Sequence, residues 1–276
     1  MVPSLGIALG SGGARGIAHV PYIEAIEELG LVPSRIAGTS MGALIGAGWA
    51  SGMGGRELRE YITGVTTLRE IATRFWGRGK SSARSFGIQV QIDPLNVVTA
   101  YLPPSVPKTF EDLAVPFTAV STDYFHGEQI AMSSGELAPA VAASMAIPGM
   151  FHPLRIGDRL FIDGGTVNPL PVDHVRGLAD IVVAIDVNGH INEPPEGAGE
   201  PTFFDISFGA TQIMSRALAR HVIAQHPPDI FIEAPVSAFR ALEFWRAPEI
   251  LAAADAGKDE FKRQLAAAIE QFERRR

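Results

Sequence analysis

The sequence predicts an α/β fold with parallel strand pairing, and three observations carry that expectation. Short apolar runs ending in glycine alternate with stretches of helical periodicity. The alternation starts at once, as strand, helix, strand and helix within the first fifty residues. A near-continuous apolar run at Ile181 to Val187 adds a strand of the kind buried on both faces. Such alternation favours parallel neighbours joined by right-handed helical crossovers.

Leu5 to Leu9 reads as the first strand, an apolar run closed by glycines. From Ile17 the period becomes helical, with Val20, Ile23, Ile26 and Leu29 on one face and Glu24, Glu27 and Glu28 opposite. Gly30 stops this helix and Pro33 opens the way to a strand at Arg35 to Ala37. Ala43 to Ala50 reads as a helix of small residues, able to sit close to a sheet. The stretch from Gly54 to Leu102 looks mostly helical. Strands are expected again at Pro116 to Tyr124, at Gln129 to Met132 through the Phe125-His126-Gly127 turn, and at Leu160 to Ile162. Gly189 to Pro201 reads as a mobile loop. A long helix over Phe204 to Gln225, a strand at Ile230 to Ile232 and one closing helix over Pro248 to Arg276 complete the expectation. With no repeat and no clear linker, a single domain over 1–276 is favoured.

Composition narrows the chemistry. At 276 residues with 46% hydrophobic side chains the chain can bury a sizeable core. Its formal net charge of −7 argues against a general nucleic-acid binder. The absence of cysteine removes thiolate catalysis and thiolate metal sites, and suits a reducing compartment. No secretory signal and no run near about 18 apolar residues is seen, so a soluble cytoplasmic protein is expected, with peripheral contact at the inner membrane surface left open.

Two glycine-rich turns carry the functional signal. Gly38-Thr39-Ser40-Met41-Gly42 stands between a predicted strand and a helix of small residues, the setting of a nucleophile elbow. Gly38 and Gly42 suit a sharp turn in which a Cβ would clash. An ordinary strand–helix turn with Ser40 as N-cap fits the same residues. The other turn is Gly10-Ser11-Gly12-Gly13-Ala14-Arg15-Gly16. It is not a dinucleotide fingerprint, because Arg15 replaces the third glycine and no acidic residue closes the second strand. It is not a P-loop either, since no Gly-Lys-Ser/Thr follows. What remains is an oxyanion cradle, bare N–H groups at a helix N-terminus. Arg15 could steady that loop, attract a phosphate head group or form a helix-surface ion pair.

An activated serine needs a base. None of the seven histidines, His19, His126, His152, His174, His190, His221 and His226, stands in a catalytic-looking setting. Asp163 is the better candidate, ending the apolar run Leu160-Phe161-Ile162 and preceding Gly164-Gly165. Partial burial would be required to make this carboxylate basic enough. A turn-forming Asp-Gly is the structural alternative. Two other readings stay open: an α/β-hydrolase triad using one of His174, His190 or His221, and a nucleotide-binding or scaffold protein without catalysis.

Taken together and in this order, the three elements resemble the patatin-like phospholipase family. Its pattern is a Gly-x-Gly-x-x-Arg/Lys-Gly loop, a Gly-x-Ser-x-Gly elbow and an Asp-Gly-Gly/Ala motif, matched here at Gly10 to Gly16, Gly38 to Gly42 and Asp163 to Gly165. Ala143 to Pro153 and Asn168-Pro169-Leu170-Pro171 are similar to further family segments, so the likeness covers about residues 4 to 190, leaving C-terminal helices at 204–276. The resemblance implies a three-layer α/β/α fold with a mostly parallel central sheet. It implies Ser40 as nucleophile, Asp163 as general base and Gly12, Gly13, Ala14 and Arg15 as the oxyanion hole. Substrates would be acyl esters of the phospholipid or lysophospholipid class, with no metal or cofactor. Two basic, aromatic stretches, Thr66 to Phe86 and Phe239 to Arg246, read either as a lid or membrane face or as packing beside a solvated basic surface.

Overall fold

The computed structural model describes residues 3–66, 92–192 and 202–275. In chain order the elements are β1 (Leu5–Leu9), α1 (His19–Glu28), β2 (Arg35–Thr39), α2 (Met41–Ala50), α3 (Gly55–Val65), α4 (Pro94–Tyr101), β3 (Phe117–Asp123), β4 (Glu128–Met132), α5 (Leu137–Ser144), β5 (Leu154–Ile156), β6 (Arg159–Asp163), β7 (Ile181–Asp186), α6 (Phe203–Gln225), β8 (Ile230–Glu233), α7 (Ala247–Asp255) and α8 (Lys258–Arg274). A short 3-10 helix, Gly13–Ala18, precedes α1.

The eight strands form one sheet, along the path β5-β6-β3-β2-β1-β7-β8 with β4 also on β3. β1, β2, β3, β7 and β8 run parallel, whereas β4, β5 and β6 pair antiparallel. Both faces are covered, which explains the apolar runs without alternation. Leu5, Ile7, Leu9, Val183 and Ile185 face a large core shared with α1, α2 and α7. Ala8, Ala37, Val182 and Ala184 face a thinner one closed by Leu170, Val175 and Ala219 of α6. Helix, sheet and helix therefore make three layers, as expected.

The register around β3 positions the site. β3 pairs with β2 over Phe117 to Val120 and with β6 over Ser121 to Asp123. β4 overlaps both stretches, pairing Ala119 to Asp123, so it must occupy the opposite edge. β2 and β6 thus abut end to end on one edge of β3, with Thr39 opposite Val120 and Asp163 opposite Ser121.

Three features depart from the sequence expectation. The closing helix is two helices, broken at Ala256 and Gly257, where a Cβ on Gly257 would lie 2.8 Å from the Tyr22 hydroxyl. Tyr22 itself packs edge-on against Phe261 at 5.5 Å between ring centroids. Neither α5 nor the three-residue β5 was foreseen: α5 is largely alanine and shows no polar face, and β5 is too short to set a period. Most of the basic stretch Thr66 to Phe86, and 193–201 of the expected loop, lie outside the described residues.

Candidate active site

Ser40 sits between β2 and α2 with φ 56° and ψ −121°, and among the described residues it is the one non-glycine with positive φ. Such a conformation costs about 1–3 kcal/mol and persists only where packing holds it. Its neighbours supply that packing. A Cβ on Gly38 would lie 2.3 Å from Gly42 O, and one on Gly42 would lie 2.2 Å from Leu9 O. The elbow is therefore folded tightly on itself and against the end of β1.

Asp163, last residue of β6, meets this turn. Ser40 Oγ donates to Asp163 Oδ2 at 2.6 Å, and Gly165 N donates to Oδ1 at 2.7 Å. Ser40 and Asp163 are 3% and 6% exposed, so the pair is shielded from water. Burial pushes the Asp163 carboxyl up to about 6, against the downward pull of the Ser40 and Gly165 hydrogen bonds. The bare backbone behind it is required: a Cβ on Gly164 would lie 2.1 Å from Val120 O.

The glycine loop lies alongside. A Cβ on Gly16 would sit 2.3 Å from Met41 Cγ, the residue after Ser40. Gly10 N donates to Ile185 O, Ser11 N to Pro169 O and Ala14 N to Ala241 O at 2.7 Å. The Gly12 and Gly13 amides have no acceptor among the described residues. Of the four residues expected to form the cradle, Ala14 has its N–H engaged, whereas Gly12 and Gly13 keep theirs available.

Nor is Arg15 a surface ion pair. The residue is 3% exposed, and its guanidinium donates to Asn188 O beyond β7. Burial draws it down to about 10, with Asp186 pulling the other way. It ties the loop to the segment that follows β7, the first of the three roles open to it.

A family model for patatin-like phospholipases matches residues 7–176. The chain belongs to the patatin-like phospholipase family. An uncharacterized NTE family protein of Mycobacterium tuberculosis (strain ATCC 25618 / H37Rv) is 30% identical over 91% of this chain and 89% of its own length. A protein named lysophospholipase nte1, from Aspergillus fumigatus, is 33% identical over 71% of this chain but 13% of its own. Among solved structures, VipD from Legionella pneumophila matches with a TM-score of 0.54 at 15% identity, over 97% of this chain and 67% of that one, a likeness of fold. Membership of the patatin-like family makes this protein a lipid acyl hydrolase in its general chemistry.

Ser40 and Gly13 border a cavity whose other walls are apolar, among them Leu44, Leu58, Tyr61, Ile62, Met145 and Phe151. It encloses about 1040 Å³ of empty space, part of it open to solvent. Phe244 of the second aromatic stretch lines it too. The rest of that stretch is largely packing: Phe239 is buried under the Arg246 guanidinium, 4.5 Å from the ring centroid, and Trp245 is exposed. No cluster of three or more metal-ligating side chains occurs among the described residues.

Among the described residues, no histidine hydrogen-bonds to Ser40 or Asp163. His19, passed over in the sequence, is fully buried, and its Nε2–H donates to Gly10 O at 2.9 Å. Burial holds the ring neutral, drawing it down to about 4, so it braces the glycine loop as an uncharged donor. Ser144 was passed over as well. Its hydroxyl accepts from Ser40 N at 2.9 Å, and no local pattern announces that contact.

Proposed function

We propose that this protein hydrolyses fatty-acyl esters of phospholipids or lysophospholipids through a Ser40–Asp163 dyad and an acyl-enzyme. The observation that carries the reading is the 2.6 Å bond between Ser40 Oγ and Asp163 Oδ2, made by two buried side chains beside an apolar cavity. A carboxyl held at about 6 is ionised at neutral pH yet more basic than an ordinary aspartate.

Asp163 Oδ2 takes the hydroxyl proton as Ser40 Oγ bonds to the ester carbonyl carbon. The carbonyl electron pair moves to oxygen, where the Gly12 and Gly13 amides receive it; one such donor typically contributes about 3 kcal/mol. Collapse of this intermediate breaks the ester C–O bond, and Asp163 returns its proton to the departing alkoxide. A water then gives a proton to Asp163 and attacks the acyl carbon. The fatty acid leaves and Ser40 recovers its proton. An alkoxide asks less of a weak acid than an amine would, which favours esters over amides. The apolar cavity suits the acyl chain, and the relative named a lysophospholipase supports a glycerolipid substrate. No described helix is long and apolar enough to cross a membrane. In this reading the protein is cytoplasmic and reaches its lipid by peripheral contact.

A fluorophosphonate probe and a panel of phospholipids and lysophospholipids test the reading. Wild type should be labelled and should release fatty acid, and Ser40→Ala should do neither. Labelling or hydrolysis that survives Ser40→Ala would falsify it.

A further inference from the structure

The β2–β3 ladder is interrupted at its last rung. Ile36 N donates to Pro116 O at 3.0 Å, and the parallel register repeats every second residue. Carried two steps further, it would join Ser40 N to Val120 O. A side chain stands in that place instead: Ser40 N donates to Ser144 Oγ at 2.9 Å, and Ser144 Oγ donates to Val120 O at 2.5 Å. We infer that Ser144 is a positioning residue, its hydroxyl spliced into this rung so that Ser40 is held off β3 and within reach of Asp163. The inference rests on the dyad reading above.

Three observations bear on it. Ser144 has no exposure, and its hydroxyl has one hydrogen, committed to Val120 O. Toward Ser40 N the oxygen can therefore act only as an acceptor, and the direction of the relay is fixed. The backbone it holds is the strained one, at φ 56°, where a missing restraint lets the turn relax. Finally, Ala146 O, two residues on, accepts from Asp163 N at 3.0 Å. The last residue of α5 and the turn that follows it fill the notch where β2 and β6 abut, Ser144 bonding the backbone of Ser40 and Ala146 that of Asp163. A hydroxyl rung is longer than a direct N–H···O bond, and that extra length lets the elbow step out of the sheet.

The test compares Ser144→Ala, Ser144→Thr and Ser144→Val, using a soluble ester for steady-state kinetics and a fluorophosphonate for labelling. Circular dichroism on the same samples corrects for folded fraction. Ser144→Ala should lower kcat and the labelling rate about 10- to 100-fold, the scale of a small misplacement of the reacting group, with KM changed by less than about threefold. Thr keeps the hydroxyl and should recover activity, whereas Val, its near-isostere, should not. Should Ser144→Ala fail to fold, the Thr and Val pair decides. Equal activity in Thr and Val, or wild-type kcat in folded Ser144→Ala, overturns the inference. Labelling that requires Ser40 yet ignores Ser144 overturns it alone, while labelling that survives Ser40→Ala removes the dyad and this inference with it.

Discussion

Replacing Asp163 by Asn should abolish ester hydrolysis and, at neutral and alkaline pH, make the protein more stable. Burial moves the carboxyl from its ordinary 3.8 up to about 6. A group whose folded pKa lies above its unfolded one holds its proton more tightly in the native state. Its stabilising contribution is complete below about pH 3.8 and is lost as pH rises through about 6. At 1.36 kcal/mol per pH unit, the ionised carboxyl leaves the native state about 3 kcal/mol worse off at pH 8. Asparagine can keep both hydrogen bonds, Oδ1 accepting from Gly165 N and Nδ2 donating to Ser40 Oγ, with no charge to desolvate. For a chain of this size about 3 kcal/mol corresponds to a Tm rise of roughly 6–12 °C. Scanning calorimetry at pH 8, 7, 6 and 5 measures it, and the gain should shrink to about half by pH 5. Hydrolysis of a soluble ester should fall about 1,000-fold in the variant, and wild-type kcat/KM should decline below about pH 6. A Tm difference that ignores pH, or a variant keeping a tenth of the activity, would refute the reasoning.

Gly42→Ala should cost about 3 kcal/mol or more, because its Cβ would lie 2.2 Å from Leu9 O, a strand carbonyl that cannot yield. Gly64→Ala on the exposed side of α3, with nothing within 4 Å, should instead stabilise by about 0.5–1 kcal/mol. Thermal melts of the two check the contrast, and a similar sign in both would contradict it. Leu44→Trp should narrow the apolar cavity, lowering kcat/KM for long-chain esters about tenfold or more while short-chain esters stay within about threefold. Equal losses for both lengths would mean that the acyl chain lies elsewhere.

The parts of this molecule legible from sequence are those governed by neighbours along the chain. β1, β2, β7 and β8 are apolar runs, and the structure places them at Leu5–Leu9, Arg35–Thr39, Ile181–Asp186 and Ile230–Glu233. The elbow is legible for the same reason: Gly38 is demanded by Gly42 O, four residues on. Asp163 could be picked out because an apolar strand ends on it and two glycines follow. Arg15 shows the limit. A basic residue beside a helix start reads as a surface group, and only its burial against Asn188 reveals a brace.

What the sequence alone determined, then, is where the chain turns and which residue types stand at the turns, since close steric contact within a few positions leaves few conformations. Which turns meet was decided by the sheet. Ser40 and Asp163 are 123 positions apart, joined because β2 and β6 end on the same edge of β3, and Ser40 and Ser144 are 104 apart, joined because α5 packs over that junction. Strand register is a property of the whole packed sheet, held by burial on both of its faces. No local run of residues encodes the 2.6 Å between a hydroxyl and a carboxylate.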